Sequence, residues 1–319
     1  MNRRGLYTLI FEMVVLTAMI GCFISAVVPG YEGEYTAGLI DKVEKLENTL
    51  GPKIVLIGNS NLAFGINSKK IEEEMGMPVV NMGLHGGLGN AFSEEMAKIN
   101  IEPGDIYVVC HTNYIDDSST VDWALTWITV ENKYKHWRLI RKQDMSHMID
   151  AFPIYLKKCI ELWAEGQSNQ MRDDEYYYRE VFNEYGDVAP KREGSRLDDL
   201  GIEFGEYCPG IDEACTERLN ELTAYIEQKG AEMVVAGYPI IVDGSPSEGF
   251  LDDIEVFQIQ LAEQLKCAVI SDFREYCYDQ KYFFDTIAHL NDEGVELRTE
   301  QLIRDLKAYR KGERHPQEE

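Results

Sequence analysis

The chain has 319 residues, 45% of them hydrophobic, which is enough to bury a sizeable core in one large domain or two ordinary ones and is not the composition of a disordered protein. Its 31 Lys and Arg stand against 56 Asp and Glu, a formal net charge of -25. Phosphate contacts need clustered cations, so this balance excludes a general nucleic-acid binder.

The first thirty residues, MNRRGLYTLIFEMVVLTAMIGCFISAVVPG, hold an apolar run from Leu6 to Val28 that is broken only by Glu12 and preceded by Arg3 and Arg4. About 20 apolar residues span a bilayer. Arginines ahead of the run favour a cytoplasmic N-terminus, which puts everything after Pro29 on the outer side. Residues 1–30 are therefore expected to be a signal anchor that crosses the plasma membrane once and leaves the rest extracytoplasmic. A cleaved signal peptide near Ser25-Ala26 and a lipoprotein site at Gly21-Cys22 are the alternatives. Residues 31–52 read as a linker and lead-in.

From residue 53 onward, apolar runs of strand length alternate with segments of helical period. KIVLIG (53–58), PVVNMGL (78–84), DIYVVCHT (105–112), AEMVVAGYPI (231–240) and CAVISD (267–272) read as strands. Helices are expected at 68–76, 90–100, 212–230, 249–265 and 291–309. Continuously apolar strands with helices between them indicate an α/β fold with a parallel, doubly wound sheet buried on both faces. Ligands in such sheets sit at the carboxyl ends of the strands.

The interval from about 115 to 205 breaks the alternation. It contains all four tryptophans (Trp123, Trp127, Trp137, Trp163) and the run Tyr176-Tyr177-Tyr178. It reads as a largely helical insertion after the third strand, lying over the carboxyl edge. Its aromatics either pack it onto the main domain or line a groove for sugars or lipid. Residues 311–319 read as a disordered tail. The seven cysteines form no C-x-x-C pair and no zinc spacing, so no metal site is expected; Cys208 and Cys215 bracket a short loop and could pair in an oxidising compartment, or remain free.

Four polar segments fall at the carboxyl ends of consecutive expected elements. GNSN ends the first strand, and Ser60 at this turn can present its hydroxyl at the sheet edge, with backbone N–H groups nearby to face a developing negative charge. Asn81-Met82-Gly83 ends the second strand and runs into a glycine-rich segment that lets backbone approach a ligand. HTNY (111–114) ends the third strand, where the Asn113 amide could add a donor. Ahead of the last helix, YFFDTIAHLNDEG places Asp285 four residues before His289, with Asn291 as a helix cap. A serine nucleophile needs a base within hydrogen-bond reach, and the base needs an orienting acid; this one loop supplies both. His85 could lie near the site and His111 ends a strand, whereas His136, His147 and His315 look peripheral.

Together Ser60 in GNSN, Gly83 in NMG, Asn113 in HTNY and Asp285 with His289 in DTIAH resemble the ordered blocks of the SGNH (GDSL-type) hydrolase superfamily. The likeness is to its membrane-anchored branch, which is similar to cell-surface polysaccharide O-acetylation and teichoic-acid D-alanyl transfer proteins, and it covers residues 53 to about 310 apart from the insertion. The resemblance implies a flavodoxin-like three-layer sandwich. It implies Ser60 as nucleophile, His289 as base, Asp285 as its orienter, and an oxyanion hole from the N–H groups of Ser60 and Gly83 with the Asn113 amide. Asn59 stands where many members carry Asp, HTNY keeps only the Asn of the usual G-x-N-D block, and the acid and base are spaced D-x-x-x-H rather than D-x-x-H.

The expected activity is that of an extracytoplasmic serine esterase or O-acyltransferase acting on an acylated small molecule or a cell-surface glycan, without a cofactor. A multi-spanning acyltransferase is a candidate partner. The alternatives are a noncatalytic scaffold or glycan-binding subunit of a surface-polymer assembly, and a cofactor-binding flavodoxin-like module.

Overall fold

The computed structural model describes residues 3–166 and 175–312. It is an α/β structure built on a five-stranded, entirely parallel sheet. The chain begins with α1 (Arg3–Val27), followed by a buried 3-10 turn over Tyr35–Gly38 and α2 (Leu39–Asn48). Then come β1 (Ile54–Gly58), α3 (Ser60–Ala63), α4 (Ser68–Met75), β2 (Val79–Asn81), α5 (Asn90–Met96) and β3 (Ile106–Cys110). The insertion carries α6 (Trp123–Val130) and α7 (Met145–Ala164). The chain continues through α8 (Glu213–Glu227), β4 (Glu232–Val235), β5 (Ile240–Val242), α9 (Glu248–Gln264), β6 (Ala268–Val269), β7 (Cys277–Asp279) and α10 (Asp292–Lys311).

The strand order is β2-β1-β3-β4-β6, and β5 pairs in parallel with β7 as a separate two-stranded sheet. Registers such as Ile54↔Ile106 and Leu56↔Val108 align β1 with β3 along its whole length. Side chains alternate across the strands, so each face of the sheet buries its own set. Val55, Ile57, Tyr107 and Val109 pack with α2, α5, α8 and α9. Ile54, Leu56, Ile106 and Val108 pack with Ile71 of α4 and with Leu302, Ile303 and Leu306 of α10. Helix ends follow local chemistry: Asn67, Asp212, Ser247 and Asn291 each cap a helix with a side-chain oxygen, and Gly76 closes α4 at φ 66°.

The structure departs from the expected elements in identifiable places. The run at 231–240 splits after β4 because Gly237 presses against the Tyr276 ring, where an added Cβ would lie 2.6 Å from Cγ, and Pro239 has no N–H for a ladder. The pairing of β5 with β7 follows from that break and has no periodic signal. Residues 31–52 are not a plain linker: Tyr35, Ala37, Leu39, Val43 and Leu46 are buried in the main core. The insertion is helical in its first half, but residues 175–211 are mostly irregular. Lys311 still belongs to α10 and Gly312 caps it at φ 69°; the remainder of the expected tail, with His315, lies outside the described residues.

An 18-residue stretch of the apolar helix α1 has a mean hydropathy of 2.2 and only 6% of it is buried, so by length and composition the helix can cross a membrane. Its C-terminal end docks on the insertion. Val27 is buried with Ala124, Ile128, Tyr155 and Cys159, and Phe23 meets Trp163 edge to face at 6.4 Å. The other tryptophans are packing groups: Trp127 lies against Trp137 and Tyr155 and donates to the Met148 carbonyl at 2.6 Å.

Candidate active site

β1 and β3 are adjacent, and their connections leave toward opposite sides of the sheet, so their carboxyl ends bound the crevice where such folds hold ligands. The strands are close here: a Cβ on Gly58 would lie 2.9 Å from the Cys110 carbonyl oxygen. Beyond Gly58 the chain turns sharply. Asn59 is extended, its Oδ1 accepts from the Asn61 N–H at 2.9 Å, and Ser60 opens α3 half-buried. As the first residue of a helix, Ser60 has no intrahelical acceptor for its N–H.

This turn is held from below by Arg298 of α10, which is wholly buried. Its Nη1 donates to the Asn61 carbonyl at 2.5 Å and its Nη2 to Asn61 Oδ1 at 2.8 Å. The Asn61 amide in turn donates to Asn59 Oδ1 at 2.7 Å and to the Cys110 carbonyl at 3.0 Å. One buried cation thus ties the last helix to the turn that carries Ser60.

Asp285 and His289 lie together in the loop before α10. That loop folds back on itself: Phe283 bridges Leu290, Phe284 N–H donates to the His289 carbonyl at 2.8 Å, and Thr286 Oγ1 accepts from His289 N–H at 3.1 Å. The four-residue spacing consequently places both side chains on one side, and His289 Nδ1 lies 2.8 Å from Asp285 Oδ1. With Nδ1 committed to the carboxylate, Nε2 is the nitrogen left to accept a proton. Burial pushes the Asp285 carboxyl up, but the hydrogen bond and charge of His289 and the Tyr177 hydroxyl more than offset it and hold it below its ordinary value.

The His289 ring lies flat on Phe64, with centroids 4.0 Å apart and planes within 4°. Phe64 is four residues beyond Ser60, and its N–H donates to the Ser60 carbonyl at 2.9 Å. Serine and imidazole are therefore brought to the same short helical turn, although no hydrogen bond joins Ser60 Oγ to His289 among the described residues. The Tyr177 hydroxyl completes the cluster, donating to Asp285 Oδ2 at 2.6 Å and lying 3.2 Å from His289 Nδ1.

The remaining expected site residues divide. Gly83 sits against the serine turn, where a Cβ would lie 2.8 Å from the Asn59 carbonyl oxygen and 2.6 Å from Leu62 Cβ. Its N–H, however, donates to Asn81 Oδ1 at 2.9 Å, so it is not a free oxyanion donor. The reason is that Asn81 is itself pinned: its amide donates to the Leu62 carbonyl and to Asp187 Oδ1, which aims Oδ1 at Gly83. Asn113 is half-buried beside Thr112, whose hydroxyl accepts from Asn59 Nδ2 at 3.4 Å, and the Asn113 carbonyl accepts from Asn90.

His85 is part of this region. Its Nδ1 accepts from the Gly87 N–H at 2.9 Å, and burial, then the nearby charge of His289, hold its imidazole below its ordinary value against Asp122. His111 is buried and its Nε2 lies 3.2 Å from the Glu94 carboxylate. His147 stacks on Trp123, and His136, expected at the periphery, is buried. All seven cysteines are free; Cys208 contacts the Asp253 carbonyl while Cys215 contacts Arg218. Among the described residues no group of three His, Cys, Asp or Glu side chains is arranged to hold a metal ion.

Sequence reasoning missed Phe64, Arg298 and the specific role of Tyr177. An arginine within the buried stripe Val295, Arg298, Leu302, Leu306 was the available signal for the second. Neither of the others had one, beyond membership of an aromatic run. No protein-family model matches the chain, and no curated protein or solved structure matches it.

Proposed function

We propose that this chain is a membrane-anchored serine esterase or O-acyltransferase of the SGNH type. The observation that carries this reading is the 2.8 Å contact between His289 and Asp285, with the imidazole stacked on the turn that Ser60 begins. The β2-β1-β3-β4-β6 order supports it as well, because it is the flavodoxin-like order when the strands of this sheet are counted alone.

In the proposed reaction Ser60 Oγ attacks an acyl carbonyl carbon while its proton passes to His289 Nε2. The carbonyl π pair moves onto oxygen, facing the Ser60 N–H and the Asn113 amide. Collapse breaks the ester C–O bond, His289 protonates the departing alkoxide, and the acyl group remains on Ser60. Water or a sugar hydroxyl then repeats the sequence in reverse. Catalytic hydrogen bonds are commonly loose before substrate binds, which accommodates the unformed Ser60–His289 bond.

With α1 in the plasma membrane, the site faces the extracytoplasmic side and an acylated small molecule or cell-surface glycan is the substrate class, with a multi-spanning acyltransferase as partner. A noncatalytic glycan-binding scaffold is the second reading, and the occupied Gly83 N–H is the observation in its favour.

The deciding experiment treats the full chain in detergent with a fluorophosphonate. Labelling of the parent that disappears in both Ser60→Ala and His289→Ala supports the enzyme. Equal labelling in all three removes the triad, and no labelling of folded parent favours the scaffold.

A further inference from the structure

Tyr177 comes from the irregular half of the insertion, 108 residues before the carboxylate it touches. Its ring is wedged between aromatic neighbours, 5.7 Å from Tyr35 and 5.6 Å from Phe64. Tyr35 is buried, donates to the Leu84 carbonyl at 3.2 Å, and also packs on Phe182 at 4.8 Å.

The backbone around these two tyrosines is joined as well. Arg179 N–H donates to the Gly33 carbonyl at 2.9 Å, Glu34 bridges Tyr178, and the Arg179 guanidinium lies 3.7 Å from the Glu32 carboxylate while gripping Asp41 through two bonds of 2.8 Å. Two residues earlier, Tyr31 N–H donates to Glu131 at 2.6 Å. An unbroken run of contacts therefore leads from the end of α1 to the acid and base.

We propose that Tyr177 is a positioning residue for the Asp285–His289 pair, and that residues 31–35, leaving the apolar helix, hold it in place. The inference rests on reading that pair as orienter and base. Its physical content is a hydrogen bond donated to the carboxylate. The bond fixes Asp285 Oδ2, leaves Oδ1 for the imidazole, and draws off part of the negative charge that would otherwise hold a protonated His289. The other charged or titratable groups facing the pair are His85, Tyr35 and Arg192, and Arg192 lies over the Phe64 ring at 5.5 Å.

The test is a histidine-observed NMR titration of the full chain in detergent, with the His289 resonance identified by its loss in His289→Ala. Tyr177→Phe keeps the ring and deletes the hydroxyl. Its His289 midpoint is expected to move up by about one pH unit. Tyr176→Phe, which removes a neighbouring hydroxyl that donates to the Lys191 carbonyl, is expected to titrate as the parent does. Arg179→Ala is expected to give a smaller upward shift.

An unmoved midpoint in Tyr177→Phe overturns the positioning role. A shift there with none in Arg179→Ala overturns the part assigned to residues 31–35. Fluorophosphonate labelling run beside the titration separates the two levels. If Ser60→Ala and His289→Ala label like the parent, the triad itself fails, whereas labelling lost in both with an unmoved Tyr177→Phe midpoint sinks only this inference.

Discussion

The imidazole of His289 and the ring of Phe64 are stacked at 4.0 Å, which couples the loop ahead of the last helix to the turn after the first strand. That contact does two jobs. It desolvates one face of the imidazole, and it sets the His289 ring in register with the helical turn on which Ser60 sits.

Asp285→Asn tests the orienting acid. The substituted side chain keeps its size but presents an amide where His289 Nδ1 and the Tyr177 hydroxyl both need an acceptor. Fluorophosphonate labelling is expected to fall roughly a hundred- to ten-thousand-fold with the fold retained. Labelling within a factor of two of the parent would deny Asp285 this role.

Gly83→Ala tests the packing of the second strand's end against the serine turn. Its Cβ would meet Ala63 N at 2.8 Å and the Asn59 carbonyl oxygen at 2.8 Å, and backbone cannot step aside as a flexible side chain can. A loss of about 1–3 kcal/mol in chemical denaturation is expected, together with weakened labelling. Unchanged stability would show that the turn has room to move.

Arg298→Lys tests the buried strut. Lysine cannot make the paired contacts to Asn61 carbonyl and Oδ1, and it leaves buried acceptors unmet. Removing part of a buried, hydrogen-bonded cation is expected to cost about 3–5 kcal/mol in urea unfolding. A cost below about 1 kcal/mol would mean that the strut is dispensable.

His136 provides a pH prediction away from the site. It is buried, both ring nitrogens lack a hydrogen-bond partner among the described residues, and burial, reinforced by Lys135, Arg138 and Lys133, pushes its imidazole down from 6.5 to about 4. Between those values the unfolded chain binds a proton that the folded chain does not, so stability falls as pH drops from 6.5 toward 4. His136→Phe removes this dependence. Its stability relative to the parent is expected to rise by on the order of 3 kcal/mol from pH 7 to pH 4. Parallel stability curves for the two proteins would contradict a neutral buried imidazole.

The amino-acid sequence by itself determined the parts of this protein whose causes are local. Alternating apolar runs and helical periods, with Gly76 and Asn291 at helix ends, place the five strands of the main sheet within a few residues of where they lie. The turn at Gly58-Asn59-Ser60 and the close spacing of Asp285 and His289 are legible for the same reason, since each is settled by neighbours a few positions away. Tertiary structure decided the rest. Tyr177 reaches Asp285 across 108 residues and Arg298 reaches Asn61 across 237, and contacts at such separations leave no period in the sequence. The Gly83 N–H was a plausible oxyanion donor until Asn81, fixed by Asp187, took it. Residues 31–35 read as part of a linker, and only tertiary packing, with the Tyr35 and Tyr177 rings 5.7 Å apart, brings them to the candidate site.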